Sequence, residues 1–386
     1  MALTGDPDGP PLFPASEVAS VVDDALAPFG LDAAVLAERA ASGGLVRRGR
    51  TSCGGASRLL PSSDGWVALT LSRPEDVDAL PAVFEADVPV STSDGPPWAS
   101  VATLVAARPA AEVVERAVLL GLPVAAVGED VAPFAADGTA RIPGGREEPR
   151  PFVVDLSALW AGPLAAACLA ATGADVVKVE DVHRPDGARR GDPDFFDLLN
   201  GAKRSVALDL RDAAGRRQLG DLVARADVVV TSGRARAIAG LGLDPDAFLA
   251  GASDRVWVAI TGHGWSSDRV GFGDDAAVAG GLVAWHPEDG EPRFAADAVA
   301  DPLCGALAAR AALDAWSVGG RWFVDASLAG AAASVAASGP AEAARGGERG
   351  WTFDGAEVRT PVARRATGPG PALGAHTEAV LTEPAA

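Results

Sequence analysis

Three aspartates have the type and position to do chemistry: Asp274 and Asp275, which follow Gly273, and Asp301, in Ala300-Asp-Pro-Leu-Cys-Gly305. Carboxyls held close together do not ionise alike, because each negative charge raises its neighbour's pKa and can leave one as an acid or base near neutral pH. Each aspartate also has a plain structural use. Asp followed by Pro is an ordinary helix start, and Asp274 and Asp275 suit a solvated loop or a helix cap. The basic groups expected near strand ends are Lys203, Arg204, Arg234 and Arg236, and such groups bind phosphates. Other chemistries lack their signatures. No Gly-x-Gly-x-x-Gly follows the first strand of the parallel series, and neither a Walker A sequence nor a Gly-x-Ser-x-Gly elbow is present. The four histidines, His183, His263, His286 and His376, show no metal-ligand spacing, so no metal site is expected.

The elements that must position these groups follow from hydrophobic periodicity. Strands are expected at Phe152–Leu156, Asp175–Glu180, Ser205–Leu210, Asp227–Thr231 and Arg255–Thr261, with helices at Pro163–Thr172, Asp212–Arg225 and Pro245–Ala252 between them. Short, nearly continuous apolar strands alternating with helices indicate an α/β domain with a parallel sheet covered on both faces. Ligands in such sheets sit beyond the carboxyl ends of the strands, so the loops at 160–163, 180–186, 232–236 and 262–275 should face the site. The first third of the chain reads differently. One helical pattern covers Ser16–Ala41. A strand at Gly65–Leu71, helices at Pro74–Phe84 and Pro109–Leu120, and a strand at Gly121–Val127 then describe a small α+β unit. Residues 136–150, polar and rich in Gly and Pro, read as the linker, which gives a small domain over 1–140 and a large one over 150–386. A strand pair is expected within Trp351–Val362 and a last short helix at His376–Leu381.

Composition narrows the function. The 386 residues carry a formal net charge of −19, which disfavours non-specific nucleic-acid binding. No apolar run approaches the ~20 residues that span a bilayer, and no cationic, apolar leader precedes Pro14. Cys53, Cys168 and Cys304 form no Cys-x-x-Cys pair. A reducing, cytoplasmic compartment is therefore expected, with no partner nucleic acid or membrane.

Phe152-Val-Val-Asp-Leu-Ser-Ala-Leu-Trp-Ala-Gly-Pro163, Gly173-Ala-Asp-Val-Val-Lys-Val-Glu180 and Asn200-Gly-Ala-Lys-Arg-Ser-Val-Ala-Leu-Asp-Leu210 occur in order and, with Ala226-Asp-Val-Val-Val230 and Leu241-Gly-Leu, resemble the family III CoA-transferases. That group includes formyl-CoA and carnitine-CoA transferases and the α-methylacyl-CoA racemases. The likeness is continuous over roughly residues 151 to 330. It implies a Rossmann-like large domain with a smaller α+β domain. Ser52-Cys-Gly-Gly-Ala, Asp64-Gly-Trp-Val-Ala-Leu and Gly121-Leu-Pro-Val-Ala resemble the family's small domain, while Thr360-Pro-Val and the stretch Leu373–Leu381 resemble its C-terminal end. In the family the small domain is inserted late in the large one. Here it comes first, so the chain resembles a circular permutation.

The resemblance implies roles. Asp301 matches the family's aspartate, which attacks a thioester carbonyl and carries the acyl group and then CoA. Lys203, Arg204 and Arg234 match residues that hold the CoA nucleotide, although Asp181 stands where a basic residue is common. Trp160, Ala161 and Gly162 would line the acyl pocket. Gly54 and Gly55 resemble a glycine loop that covers the active site. Acyl-CoA and carboxylic acid substrates, coenzyme A as carrier with no further cofactor, and an interlocked homodimer are implied with them. Two alternatives stand beside acyl-CoA:carboxylate CoA transfer. One is racemisation or isomerisation, although the racemases carry His at the place of Asp274. The other is a non-catalytic CoA-binding homologue.

Overall fold

The computed structural model describes residues 2–88, 95–140, 150–347 and 350–383. The small unit holds β1 (Ser57–Pro61), β2 (Trp66–Thr70) and β3 (Val124–Ala126). The large sheet holds β4 (Ala135–Ala140), β5 (Phe152–Leu156), β6 (Asp175–Asp181), β7 (Arg204–Leu208), β8 (Val228–Thr231), β9 (Arg255–Thr261) and β10 (Gly320–Ser327). Val, Ile and Trp dominate β5, β8 and β9, which are buried on both faces as interior parallel strands require.

The large sheet runs β4-β10-β9-β8-β5-β6-β7. All neighbours are parallel except the edge pair β4 and β10. From β5 the chain moves outward through β6 and β7, then returns to the other side of β5 and moves outward through β8, β9 and β10. Such a reversal leaves a crevice at the carboxyl ends of its two central strands, here β5 and β8. The α/β fold expected from the alternation is the fold observed.

The helices that matter for the site are α1 (Val18–Leu26), α2 (Ala161–Ala171), α3 (Gly273–Ala279), α4 (Ala300–Val318) and α5 (Leu328–Val335). α2 is Ala-rich and nearly wholly buried, and packs along α4. Close approach requires Gly305, because a Cβ there would stand 2.6 Å from the Ala161 carbonyl oxygen.

Several boundaries differ from the expectation. The pattern over Ser16–Ala41 is broken by Pro28 and by Gly30 in left-handed conformation, leaving α1 and shorter turns after it. Val22, Ala25 and Leu26 of α1 join the large core, and β4 extends the large sheet. Parts of the first 140 residues thus pack with the large unit. The unit with its own apolar core is the β1–β3 sheet with the helices between β2 and β3. Residues 136–140 of the expected linker belong to β4, and 141–149 lie outside the described residues.

Alternation along the β1–β2 hairpin decides what it presents. Val67 and Leu69 face the small unit's core, while Leu59 and Ala68 pack towards Val278 of α3. Ser57 and Thr70, two residues on and paired directly across the strands, share that second face. The small unit thus lays two hydroxyls against α3.

Candidate active site

Asp301 lies in the first turn of α4, and its carboxyl does not cap its own helix. The carboxyl instead accepts a hydrogen bond from the Ala161 N–H at the start of α2, beyond the end of β5. It lies against Gly273, where a side chain would collide with the carboxylate and with the Ala298 carbonyl. Asp301 as a whole is half-buried, neither sealed in the core nor fully exposed. Burial pushes its pKa up; the Arg39 guanidinium pulls it down, and Asp274 and Asp297 push it up again, to about 7.

Arg39 completes the site. Its Nε and Nη2 donate to the two Asp297 carboxylate oxygens at 2.8 and 2.5 Å, and its guanidinium lies over the Trp160 ring, 5.5 Å from the centroid. Asp297 is fully buried. It is flanked by Ala296 and Ala298, both left-handed, with φ of 51° and 43°. Such backbone costs on the order of 1–3 kcal/mol per residue and persists where surrounding structure enforces it. Here it aims Asp297 at Arg39 and directs the Ala298 N–H to Asp274, at 3.0 Å. The geometry is therefore one guanidinium facing Asp274, Asp297 and Asp301.

Asp274 and Asp275 occupy the first turn of α3. Asp274 also accepts from the Ser57 hydroxyl at 3.1 Å, and its pKa is raised by burial first and by Asp297 next. Asp275 is fully buried. Its Oδ1 lies 3.0 Å from the Thr70 hydroxyl oxygen, and it caps α3 by accepting from the Phe272 N–H at 3.1 Å, so the capping role is real for this residue. Burial dominates its pKa, which rises to about 8. Cys53, held near this cluster, stays a thiol, since burial pushes it to about 12.

The remaining sequence candidates separate. Trp160 is buried and meets Phe195 edge-on. Ala161 contributes its N–H, and Gly162 leaves no room for a side chain against Ser157. The Gly54–Gly55 turn lies by Arg39, with a Cβ on Gly54 only 3.5 Å from the guanidinium, and Gly55 is left-handed at φ 83°. Arg234 stands just beyond β8, at the carboxyl edge of the sheet, with Nη1 3.3 Å from the Asp268 carbonyl.

Two phosphate-binding expectations are corrected. Lys203 is sealed in the core, where its ammonium donates to Asp155 at 2.8 Å, to the Pro163 carbonyl at 2.9 Å and to Asn200 at 3.1 Å. It braces the β5–α2 turn from behind and cannot reach a ligand. Arg204 opens β7 at the amino end of the sheet, away from the crevice, and is paired with Asp175 and Glu383, both at 2.5 Å.

Two further placements were not foreseen. Asp181 and His183 meet Asp209, 26 residues after His183, and the three bring ligand-type atoms within 4.8 Å of one another on the surface. A groove of about 720 Å³ lies apart from the carboxylates, lined by Arg236, Asp244, Trp265 and Phe323 among others. The convergent charges lie at Asp301, not in this groove, and that cluster is the better candidate for chemistry.

Arg39 and Asp297 were not foreseen from sequence either. Arg39 lies in a helical stretch without a motif, and Asp297 in Ala-Ala-Asp-Ala, which gives no sign of its backbone.

CoA-transferase family III matches residues 152–374, more than half of the chain, and the chain belongs to that family. Similar proteins include succinate–glutarate CoA-transferase of Agrobacterium fabrum, 33% identical over 170 residues, covering 40% of this chain and 42% of the relative. Cinnamoyl-CoA:phenyllactate CoA-transferase of Clostridium sporogenes is 30% identical over 145 residues, covering 34% and 35%. A solved CaiB/BaiF family protein from Brucella suis aligns with 48% of this chain and 53% of its own at 28% identity, with a TM-score of 0.42. The chain spans about two fifths of the length of the first curated relatives it matches. No described helix is long and apolar enough to cross a membrane.

Proposed function

We propose that the protein is an acyl-CoA:carboxylate CoA-transferase in which Asp301 is the nucleophile. The observation that carries this is the Asp301 carboxyl. The residue is half-buried, its carboxyl is held by the Ala161 N–H and faces the Arg39 charge, and its pKa, pushed up to about 7, leaves a substantial ionised fraction at neutral pH. An Asp301 oxygen attacks the thioester carbonyl carbon, the C–S bond breaks, and CoA leaves as the thiolate. The thiolate then attacks the aspartyl carbonyl of the mixed anhydride and releases the donor carboxylate, leaving CoA on Asp301 as a thioester. An acceptor carboxylate runs the two steps in reverse. Splitting the exchange in this way replaces one hard step by easier ones. Arg234, on the crevice side, is assigned to CoA phosphate. Acyl-CoA and carboxylate are the substrates in this reading.

Two structural expectations are retained as part of the proposal. The site draws Arg39, Ser57 and Thr70 from chain preceding the family-matched region, which supports a permuted order. An interlocked homodimer is the proposed assembly.

The test is intact-mass spectrometry after incubation with succinyl-CoA and with other acyl-CoAs. The wild type should gain a covalent acyl or CoA mass that hydroxylamine removes, and Asp301→Ala should gain none. An adduct that persists in Asp301→Ala overturns the assignment. Deuterium uptake at the substrate α-carbon from D2O, without an adduct, would point to racemisation instead.

A further inference from the structure

Four oxygen-bearing groups form a chain across the junction of the two units. Asp275 Oδ1 lies 3.0 Å from Thr70 Oγ1, Thr70 Oγ1 lies 2.8 Å from Ser57 Oγ, and Ser57 Oγ lies 3.1 Å from Asp274 Oδ2. Each of the three contacts needs a hydrogen. The two hydroxyls supply one apiece. With both carboxyls ionised, one oxygen pair would face each other with nothing between them. Ser57, Thr70 and Asp275 are 1%, 2% and 0% exposed, so bulk water does not fill the gap. A bare contact between buried acceptors is costly, whereas one more proton satisfies the whole chain.

We propose that Asp275 holds this proton as a neutral acid and that Thr70 and Ser57 pass it to Asp274 beside Asp301. In the resting arrangement Asp275 donates to Thr70, Thr70 to Ser57, and Ser57 to the Asp274 carboxylate. In the shifted arrangement the O–H bonds of Asp275, Thr70 and Ser57 break, and new O–H bonds form on Thr70, Ser57 and Asp274. The total charge is unchanged. One negative charge has moved from Asp274, where Asp301 feels it, to Asp275 behind the hairpin.

The surroundings suit a mobile charge. Asp275 is faced by Asp274 on its own helix and by the Phe272 N–H. From the small unit it is faced by Thr70 and by Arg73, which senses its charge while paired to Asp76. Its raised pKa agrees with a resting neutral acid, and the Phe272 N–H and Arg73 are in place to receive the carboxylate. The use of the relay rests on the acyl-transfer reading. When a CoA thiolate forms at Asp301, a neutral Asp274 removes the repulsion and can donate to the sulfur. Ser57, Thr70 and Asp275 are in this sense positioning residues that act through Asp274.

The test is infrared titration of the whole protein, which needs no acyl-CoA and so stands or falls apart from the transferase reading. At pH 7 a carboxylic-acid C=O band should be present, should disappear with a midpoint near 8, and should be absent in Asp275→Asn. Asp301→Asn identifies the nearby Asp301 band. Thr70→Val fixes the direction of the bond. If Asp275 donates to Thr70, losing the acceptor lowers the midpoint, and Thr70→Ser restores it. If Thr70 merely donates to a carboxylate, the same substitution raises the midpoint. A raised midpoint in Thr70→Val, or a wild type without the Asp275 band at pH 7, overturns the relay.

Discussion

Arg39 is the residue on which the site's charge balance turns. It offers one positive charge to three carboxylates, and it holds the Asp301 pKa below where burial alone would leave it. In the proposed role Asp301 attacks as the carboxylate, so adduct formation should rise with pH through about 7. Replacing Arg39 with Met removes a pKa-lowering charge and should move that acid limb upward by about one unit or more, as opposite charges at such sites do. Rates of adduct formation across pH, read by mass, check this; an unmoved limb would mean that Arg39 is structural only. At this scale the sequence was half legible. Asp301, Asp274 and Asp275 are found by type and position. Arg39 and Asp297 are not, because neither has a spacing rule: one sits on a helical turn and the other between left-handed alanines. A lysine beside a loop, such as Lys203, has the look of an available charge in the sequence, and only the fold shows it bound to Asp155 inside the core.

α3 is the element that brings the two units into register. It is closed in at both ends by contacts that leave no room for a Cβ. Gly273 abuts Asp301 and the Ala298 carbonyl, and Gly280 abuts α5, where a Cβ would stand 2.5 Å from the Ala329 carbonyl oxygen and 2.6 Å from the Ala333 nitrogen. Gly280→Ala should therefore force α3 and α5 apart and cost about 1–3 kcal/mol, in the range of other overpacked sites. Denaturant melts at constant m value would show it, and an unchanged midpoint would mean that the helices adjust freely. The large-sheet strands were legible because β-branched runs bounded by Gly, Asp and Pro leave little choice, and β5 and β9 match their expected ends. Gly320–Ser327 was not read as a strand, because Trp322 and Phe323 sit among Gly, Arg and Asp and the run follows a long alanine-rich helix. The expected helix Pro74–Phe84 is split at Ala79, where Pro81 interrupts the hydrogen-bond ladder.

At the scale of the molecule, the beginning of the chain is embedded in its later parts. The Ala2 N–H meets the Arg359 carbonyl, Leu12 and Phe13 pair with Ala343 and Glu342, and Phe13 stacks on Phe353 at 3.8 Å. If the order of segments is a permutation, the fold should not depend on it. A chain beginning at Arg150, with residues 2–140 joined behind Glu383 through a flexible linker, should form the same Asp301 adduct. Loss of folding in that chain, judged by circular dichroism and melting, would count against permutation. The sheet order bears on synthesis as well. β4 leaves the ribosome early, yet its partner β10 follows β5 to β9 and all of α4. Throughout that interval β4 has no partner strand, and β9 presents an unfilled edge where β10 will later insert. A nascent chain with two open edges is a substrate for chaperones and prone to pair with its neighbours. The last strand of the large sheet to be made thus closes the window in which this protein is most prone to aggregate.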